Sequence, residues 1–264
     1  MTHAAGSMDR VFITGASSGI GAALARRYAQ QGATLGLAAR RRELLEELAA
    51  SLPNPERHRV YALDVLDRPA LAAAAQDFIG ALGGADIVIA NAGISHGTLT
   101  DRAEDLGVFD AVFATNVNAT VATFAPFVEA MKAQPGPRRL VGIASVAGIR
   151  GLPGAGAYSA SKAAVISYCE SLRLELKQHG IPVVTIAPGY IDTPMTRHNQ
   201  YPMPFLMPVD RFAELAVRAI GRGDSYRVIP WQMGVVAKLL RLLPNPLYDA
   251  LFHKAPRKAR KAAP

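Results

Sequence analysis

Short apolar runs alternate with longer helix-like segments along almost the whole chain. Glycine, proline or charged residues bound each run, as is typical of buried strands. The predicted strands are 10–14, 34–39, 60–63, 86–90, 139–144, 183–187 and 227–229, and the predicted helices are 19–31, 42–51, 69–82, 103–132, 157–178 and 210–220. This alternation predicts an α/β fold built on a doubly wound parallel sheet of about seven strands, with helices on both faces. We expect helix 103–132 to break before Asn116, and Asp210 to cap the last helix.

Length and composition favour one domain. The chain has 264 residues, half of them hydrophobic, which suits a sheet covered on both faces. We expect a flexible leader at 1–8, a single folded domain at 9–230, and an apolar segment followed by a basic tail at 231–264.

The charge distribution argues against a nucleic-acid-binding surface. The net charge is +8, but five basic residues lie near the end of the chain and leave about +3 for the rest. These five are Lys254, Arg257, Lys258, Arg260 and Lys261. The single cysteine, Cys169, excludes an internal disulfide and is expected in the core; the histidines show no metal-ligand spacing, so no metal site is predicted. No apolar run is long enough to span a bilayer and no signal-peptide pattern is present, so a cytoplasmic location is expected.

A glycine-rich turn connects the first predicted strand to the first predicted helix. It reads Gly15-Ala16-Ser17-Ser18-Gly19-Ile20-Gly21. In such a turn, backbone N–H groups and the positive end of the helix dipole point at an anion, and glycines let a phosphate come close. The chain is therefore predicted to bind a dinucleotide through its pyrophosphate, with a plain turn as the alternative.

A tyrosine and a lysine stand four residues apart in predicted helix 157–178. Tyr158 and Lys162 share one face of that helix, and Ser145 follows the preceding strand. A nearby ammonium favours the phenolate and lowers the tyrosine pKa from about 10, so Tyr158 can act as a general acid or base. The spacing alone is common, and a surface helix pair is the alternative.

As a set, these motifs resemble the classical short-chain dehydrogenases/reductases. The resemblance covers about residues 9 to 230 and rests on Thr14 to Gly21, Asn91-Ala92-Gly93, Asn116, Ser145, Tyr158, Lys162 and Pro188-Gly189. It implies a Rossmann-type fold and an enzyme that interconverts a carbonyl and an alcohol by hydride transfer with a nicotinamide cofactor. It also implies a homodimer or homotetramer formed through helices 103–132 and 157–178.

The same resemblance implies residue roles. Tyr158 would transfer the proton, Ser145 would hydrogen-bond the same substrate oxygen, and Lys162 would also bind the nicotinamide ribose. Asn116 would hold a water that relays protons to the lysine, a capping or kink-forming asparagine being the alternative. The implied cofactor contacts are Gly15, Ser17, Ser18, Gly19, Ile20, Gly21, Asp64, Asn91, Ala92, Gly93, Tyr158, Lys162, Pro188, Gly189, Ile191 and Thr193.

Charge at the end of the second predicted strand bears on which nicotinamide cofactor is used. A carboxylate there binds the ribose 2′-hydroxyl of NAD and repels a 2′-phosphate. This chain reads Ala38-Ala39-Arg40-Arg41-Arg42, with no acid. Because a guanidinium matches a phosphate bidentately, NADP(H) is predicted, with Arg40 as the first choice of ligand and Arg41 as the second. A solvated basic helix start is the alternative.

Two segments outside the motifs bear on the substrate and on partners. Residues 194–208 contain three methionines and two aromatic residues, and predict either an apolar pocket wall or a proline-stiffened surface loop. Residues 231–243 predict an apolar helix that covers the cleft, packs on another subunit, or rests on an anionic membrane as a peripheral contact. Packing is favoured, and each outcome suits an apolar small-molecule substrate.

The alternative function is a catalytically silent NADP(H)-binding module or sensor. The joint presence of Asn116, Ser145, Tyr158 and Lys162 argues against it, because a module that only binds a nucleotide does not need all four. Residues 194–208 and 231–264 do not identify the substrate.

Overall fold

A computed structural model describes residues 9–199, 201–255, 258 and 260. The predicted leader 1–8 and the basic residues Arg257 and Lys261 lie outside these residues. The strands are β1 Arg10–Thr14, β2 Thr34–Ala39, β3 Arg59–Ala62, β4 Ile87–Ala90, β5 Arg139–Ile143, β6 Val183–Pro188, β7 Ile191–Asp192, β8 Met207–Pro208 and β9 Tyr226–Ile229. The α-helices are α1 Gly19–Gln30, α2 Arg42–Ser51, α3 Arg68–Leu82, α4 Leu106–Phe113, α5 Ala119–Ala133, α6 Gly156–Glu175, α7 Val209–Arg222, α8 Trp231–Leu242 and α9 Asn245–Phe252.

Seven of these strands form one parallel sheet in the order β3-β2-β1-β4-β5-β6-β9. This confirms the predicted Rossmann-type doubly wound α/β fold. The chain leaves β1 in one direction to build β2 and β3, and returns to its other side to build β4. The strand order therefore reverses between β1 and β4, and the crevice above their carboxyl ends is where open sheets of this kind bind ligands.

Side chains alternate between the two faces of β1 and join two apolar layers. Val11 and Ile13 belong to the layer with α1, α2 and α7, whereas Phe12 belongs to the layer with α3, α5 and α6. All three side chains are fully buried. Because burial of one such side chain stabilises the fold by roughly 1.5–3 kcal/mol, the two layers hold the strand ends at fixed positions.

Predicted helix 103–132 is interrupted by a wider turn. A π-helical turn, Ala114–Asn118, joins α4 to α5 and contains Asn116. Among the described residues, one helical stretch is long and apolar enough to cross a membrane. It runs from Ala103 to Ala133 and has a mean hydropathy of 1.3. Its Phe124 and Phe127 lie in the core layer on one face of the sheet, whereas other apolar side chains of the stretch are exposed.

The predicted cap at Asp210 is wrong. Helix α7 begins one residue earlier, at Val209, and Pro208 holds the cap position because it ends β8. Asp210 lies exposed in the first helical turn, where its carboxylate still complements the positive end of the helix dipole. The short parallel pair β7 and β8, which the sequence did not predict, ties the two ends of the segment between Asp192 and Met207 together.

The C-terminal segment packs on the domain through Arg150. This guanidinium donates to the carbonyls of Arg241 and Leu243 and to Oδ1 of Asn245, and lies 4.1 Å from the ring centroid of Tyr248. Arg150 thus joins the connection between α8 and α9 to the loop 146–156. One side of α8 and α9 is buried by this packing, while their other side is exposed.

Candidate active site

A cleft of about 570 Å³ opens above the carboxyl ends of β1, β4, β5 and β6. Every residue predicted for catalysis or cofactor binding lines this cleft, except Gly21 and Asn116. Those two support lining residues from behind: Gly21 meets the carbonyl of Gly15, and Asn116 holds the backbone of Ile94. The fold therefore brings the separate sequence motifs into one site.

The glycine turn keeps a space that side chains would fill. Gly15 has a φ of 67°, and a Cβ there would lie 2.8 Å from the Cα of Ala92. A Cβ at Gly21 would lie 2.3 Å from the carbonyl oxygen of Gly15, so only glycine lets α1 begin this close to β1. Asn91 fixes the turn from β4, with Nδ2 donating to the carbonyls of Thr14 at 2.9 Å and Gly15 at 3.2 Å. This cradle at the amino end of α1 fits a pyrophosphate.

Arginine side chains form the far rim of the cleft. Arg41 donates from Nη2 to the hydroxyls of Ser17 and Ser18, each at 3.0 Å, and so links the end of β2 to the glycine turn. Arg40 lines the same rim and is exposed. The two guanidiniums and two hydroxyls together offer donors to a phosphate group.

Asp64 lines the cleft after β3 and also shapes its own turn. Its Oδ1 accepts a hydrogen bond of 3.0 Å from the backbone N–H of Leu66. The predicted cofactor contact and this turn-forming role are therefore compatible at Asp64.

Ser145 and Tyr158 meet across the loop that follows β5. Ser145 is buried, caps a short 3-10 turn by accepting from the backbone N–H of Ala147, and hydrogen-bonds the Tyr158 phenol. The predicted lowering of the Tyr158 pKa by Lys162 is wrong, and the Lys162 ammonium instead donates to the carbonyl of Ile143. Burial raises the pKa of Tyr158, and the hydrogen bond to Ser145 opposes the rise. The phenol is therefore protonated near neutral pH, which is the form that donates a proton.

Lys162 lies beneath the phenol as a buried cation. Its Nζ donates 2.8 Å to the carbonyl of Ile143 and lies 5.9 Å from the ring centroid of Tyr158. Burial lowers its pKa to about 8. A Cβ at Gly148 would lie 2.6 Å from the backbone of Lys162, so this loop glycine permits close packing against α6. The described structure thus places the ammonium between β5, the phenol and the cleft.

Asn116 uses its whole amide group inside the protein. Oδ1 accepts from the backbone N–H of Ile94 at 2.8 Å, and Nδ2 donates to the carbonyl of Ile94 and to the hydroxyl of Ser161. The π-helical turn aims this side chain at the segment after β4. Asn116 therefore holds that segment against α6, and a Cβ at Gly93 would lie 3.1 Å from its Oδ1 and 3.6 Å from Nζ of Lys162.

The turn after β6 is fixed by a residue that sequence reasoning missed. Thr196 accepts from the backbone N–H of Thr193 at 3.0 Å and donates to the carbonyl of Ile191. This bonding keeps Ile191 and Thr193 in the cleft lining, where they were predicted, and adds Thr196 to it. Threonine side chains often bond the backbone a few residues away. The spacing of Thr193 and Thr196 was therefore visible in the sequence but did not by itself predict a role in the site.

In the predicted substrate segment 194–208, some residues form part of the pocket wall and others lie in an exposed surface loop. Pro194 and Met195 line the cleft, whereas Phe205 and Leu206 are about half exposed. His96 also lines the cleft. Cys169 is buried in α6 as expected, and burial raises its pKa to about 11.

Lys258, from the basic tail, reaches the mouth of this site. Its Nζ donates 2.6 Å to the hydroxyl of Ser95 and lies 5.6 Å from the ring centroid of Tyr158. No periodicity or motif in the tail pointed to this contact, because it joins residues far apart along the chain.

Comparisons with known proteins identify the family of this chain. A family model described as short chain dehydrogenase matches residues 9–202. An uncharacterized oxidoreductase of Myxococcus xanthus is 37% identical over 248 residues, covering 92% of this chain and 96% of the relative.

Solved structures show the same fold. A 3-ketoacyl-(acyl-carrier-protein) reductase from Brucella melitensis, complexed with NADH, superposes with a TM-score of 0.77 at 25% identity, covering 84% of this chain and 96% of that one. A short chain dehydrogenase from Burkholderia cenocepacia, in complex with NADP, gives a TM-score of 0.79 at 24% identity, covering 93% and 99%. Because the family model and the Myxococcus relative match most of its length, the chain belongs to the short-chain dehydrogenase/reductase family and is an oxidoreductase.

Proposed function

We propose that the protein is an NADP(H)-dependent oxidoreductase that interconverts an apolar carbonyl compound and its alcohol. The observation that carries this proposal is the meeting of Ser145, Tyr158 and Lys162 in a cleft that begins at the glycine turn. A proton donor, a hydrogen-bond donor and a buried cation beside a dinucleotide cradle are the groups that carbonyl reduction needs.

Each side chain has a defined part in the reaction. A bound nicotinamide supplies the hydride in reduction and accepts it in oxidation. Tyr158 donates its phenolic proton to the substrate oxygen, and Ser145 hydrogen-bonds the same oxygen as negative charge develops there. Lys162 stabilises the resulting phenolate with its ammonium. Asn116 keeps the segment after β4 in place beside Lys162 and so acts as a positioning residue.

The choice of NADP(H) rests on the rim of the cleft. Arg40 and Arg41 stand where a carboxylate would favour NAD, and Arg41 is held on Ser17 and Ser18. A phosphate placed there would find two guanidiniums and two hydroxyls within one small region. Structures of similar fold carry NADH in one case and NADP in another, so the fold alone leaves both open.

The apolar character of the substrate rests on the cleft beside Tyr158. Ile94, Ala111 and Met195 line the same cleft as Tyr158. These side chains offer contact area and few hydrogen-bond partners, which suits a hydrocarbon or aromatic group next to the carbonyl.

Loss of NADPH absorbance with a panel of apolar ketones and aldehydes tests the proposed activity. Turnover of panel members, and the loss of that turnover in Tyr158→Phe, is expected. Tight NADPH binding without oxidation across a broad panel would instead favour the silent module.

For assembly, we propose a homodimer or homotetramer formed through α4, α5 and α6. Large apolar side chains on these helices are exposed in the single chain: Leu106, Phe109, Val121 and Leu174. Light scattering after size-exclusion chromatography gives the mass, and Phe109→Glu with Leu106→Glu is expected to shift it to that of one chain. A wild-type mass of one chain would refute this assembly.

The exposed side of α8 and α9 supports a peripheral membrane contact. Six large apolar side chains are exposed there, with Lys238, Arg241 and Lys254 nearby in the sequence: Trp231, Val235, Leu239, Leu242, Leu247 and Leu251. Apolar groups beside cations bind anionic lipid surfaces. Co-sedimentation with phosphatidylserine vesicles, but not with phosphatidylcholine vesicles, is the expected result, and Leu239→Glu should abolish it.

A further inference from the structure

Two described residues of the basic tail, Lys258 and Arg260, contact the segment that follows β4 and the start of the helical stretch after it. Arg260 pairs in a parallel bridge with Gly97, in the segment that follows β4. Its guanidinium holds two carboxylates, donating to both oxygens of Asp105 at 2.8 and 2.9 Å and to Glu104 at 2.8 Å. Asp105 is nearly inaccessible, with a side-chain exposure of 4%. Arg260 is therefore a satisfied anchor, because its charge is matched within the protein.

Lys258 lies two residues before Arg260 and differs from it in its charged surroundings. Its ammonium donates to the Ser95 hydroxyl and sits over the ring of Tyr158. Among the described residues no carboxylate forms an ion pair with it, and the side chain is partly buried. A partly buried cation without an anion is costly unless a ligand supplies the missing charge.

The position of this cation defines what such a ligand would be. The substrate carbonyl must reach the phenol of Tyr158, and the ammonium of Lys258 lies 5.6 Å from the centroid of that ring. A negative group on the substrate, a short chain away from the carbonyl, would therefore meet Lys258 while the carbonyl meets Tyr158. Ile94 and Met195 remain available to the apolar part of the same molecule.

We propose that Lys258 is a substrate-binding residue that selects carbonyl compounds bearing a carboxylate, that is, apolar oxo acids and the corresponding hydroxy acids. Arg260 is a positioning residue, since its bonds to Glu104 and Asp105 hold it close to Lys258, which lies beside the ring of Tyr158. This inference rests on the proposed carbonyl reduction and names the class of substrate for it.

Matched acids and esters test the proposal. The probes are benzoylformate, benzoylacetate, benzoylpropionate and benzoylbutyrate, each compared with its methyl ester, which keeps the shape and removes the charge. The readout is the ratio of kcat/KM for acid to that for ester, measured with NADPH. Wild type is expected to prefer at least one acid by about tenfold or more, the range of a hydrogen bond to a charged group.

Substitutions on the tail separate recognition from mere structure. Lys258→Met should lower the acid-to-ester ratio by about tenfold or more, Lys258→Arg should retain most of it, and Arg260→Gln should lower it through loss of positioning. Lys254→Met is the matched control, since Lys254 carries the same charge on the same segment without a hydrogen bond or ion pair to a described residue, and it should leave the ratio unchanged.

A binding measurement keeps the test independent of turnover. With NADP present, the preferred acid should raise the melting temperature of wild type, its ester should raise it less, and Lys258→Met should remove the difference. If no carbonyl probe is reduced but the acid still binds through Lys258, the proposed reaction fails and the anion site stands. An acid-to-ester ratio that Lys258→Met leaves within twofold of wild type would overturn the proposal. An equal rise in kcat/KM for acid and ester in both Lys258→Met and Arg260→Gln would also overturn it. The tail would then only restrict access to the cleft, without recognising the carboxylate.

Discussion

The ammonium of Lys162 is fixed on the carbonyl of Ile143, 2.8 Å away, at the carboxyl end of β5. Because Ser145 follows Ile143 by two residues, this bond ties helix α6 to the strand end that carries the serine. Tyr158 lies one helical turn before Lys162 on the same face. The strand and the helix thus hold the serine, the tyrosine and the lysine in one fixed relation.

The proton-transfer role of Tyr158 predicts a selective loss of activity. Tyr158→Phe removes the hydroxyl and keeps the ring, so turnover should fall by about a hundred- to ten-thousand-fold while NADPH affinity changes little. Steady-state kinetics and NADPH fluorescence titration measure the two quantities. Tyr168→Phe, on the same helix and outside the cleft, is the control. Wild-type turnover in Tyr158→Phe would refute the assigned acid.

The arginine rim predicts an ordered effect on cofactor choice. Arg41→Ala should lower the NADPH-to-NADH ratio of kcat/KM by about tenfold or more, because a charge-assisted contact to the phosphate is lost. Arg40→Ala should lower this ratio less. Among the described residues, Ser17 and Ser18 orient Arg41 through hydrogen bonds and make no such bond to Arg40. Arg42→Ala, whose guanidinium pairs with Glu46 on the exposed face of α2, should leave the ratio unchanged. A larger loss in Arg40→Ala than in Arg41→Ala would instead favour Arg40 as the main phosphate ligand, which was the first choice from the sequence.

The close approach at the glycine turn predicts opposite effects for two helical glycines. Gly21→Ala places a methyl against the carbonyl of Gly15 and should destabilise the fold by about 1–3 kcal/mol and weaken NADPH binding. Gly80→Ala, in α3 with open space at the Cβ position, should stabilise by about 0.5–1 kcal/mol. Urea unfolding of both variants measures the difference. Equal effects would mean that α1 can shift away from β1 without cost.

The buried charge of Lys162 predicts the sign of a pH effect on stability. Burial lowers its pKa to about 8 from 10.5, so above about pH 8 the folded protein releases a proton that the unfolded chain keeps. The free energy of unfolding of wild type, relative to that of Lys162→Met, should therefore rise as pH increases from about 7 to about 9.5. Lys238→Met, at an exposed position of α8, should show no such trend. A flat difference for Lys162→Met would mean that the ammonium is not desolvated.

Sequence patterns predicted the sheet well because its five central strands, β2, β1, β4, β5 and β6, are buried on both faces. A run of consecutive apolar residues such as Val11-Phe12-Ile13 is stable mainly in a strand that is covered on both faces. The glycine turn has a backbone conformation that few other residues adopt. Predictions that depended on one residue fared less evenly. Pro208 displaced the expected cap at Asp210, because the preceding chain pairs as β8 and sets where α7 begins.

The site was predictable where a side chain acts on its neighbours along the chain. Tyr158 and Lys162 share a helix face, so their proximity follows from helix geometry alone. Lys258 and Thr196 were missed for different reasons. Thr196 lies in a local hydrogen-bonding pattern that is too common to interpret. Lys258 contacts Ser95 beside the ion pair of Arg260 with Asp105, and a sequence periodicity does not reveal contacts between residues so far apart along the chain.

Arg150 has a consequence for anyone who redesigns this enzyme. The same guanidinium that holds the junction of α8 and α9 stacks on Tyr248, whose hydroxyl donates 2.6 Å to the carbonyl of Gly151 in the loop between Ser145 and Tyr158. Grafting a different C-terminal segment to broaden activity would therefore remove a bond that fixes the loop between Ser145 and Tyr158. A graft that keeps Asn245, Tyr248 and their register to Arg150 would spare it.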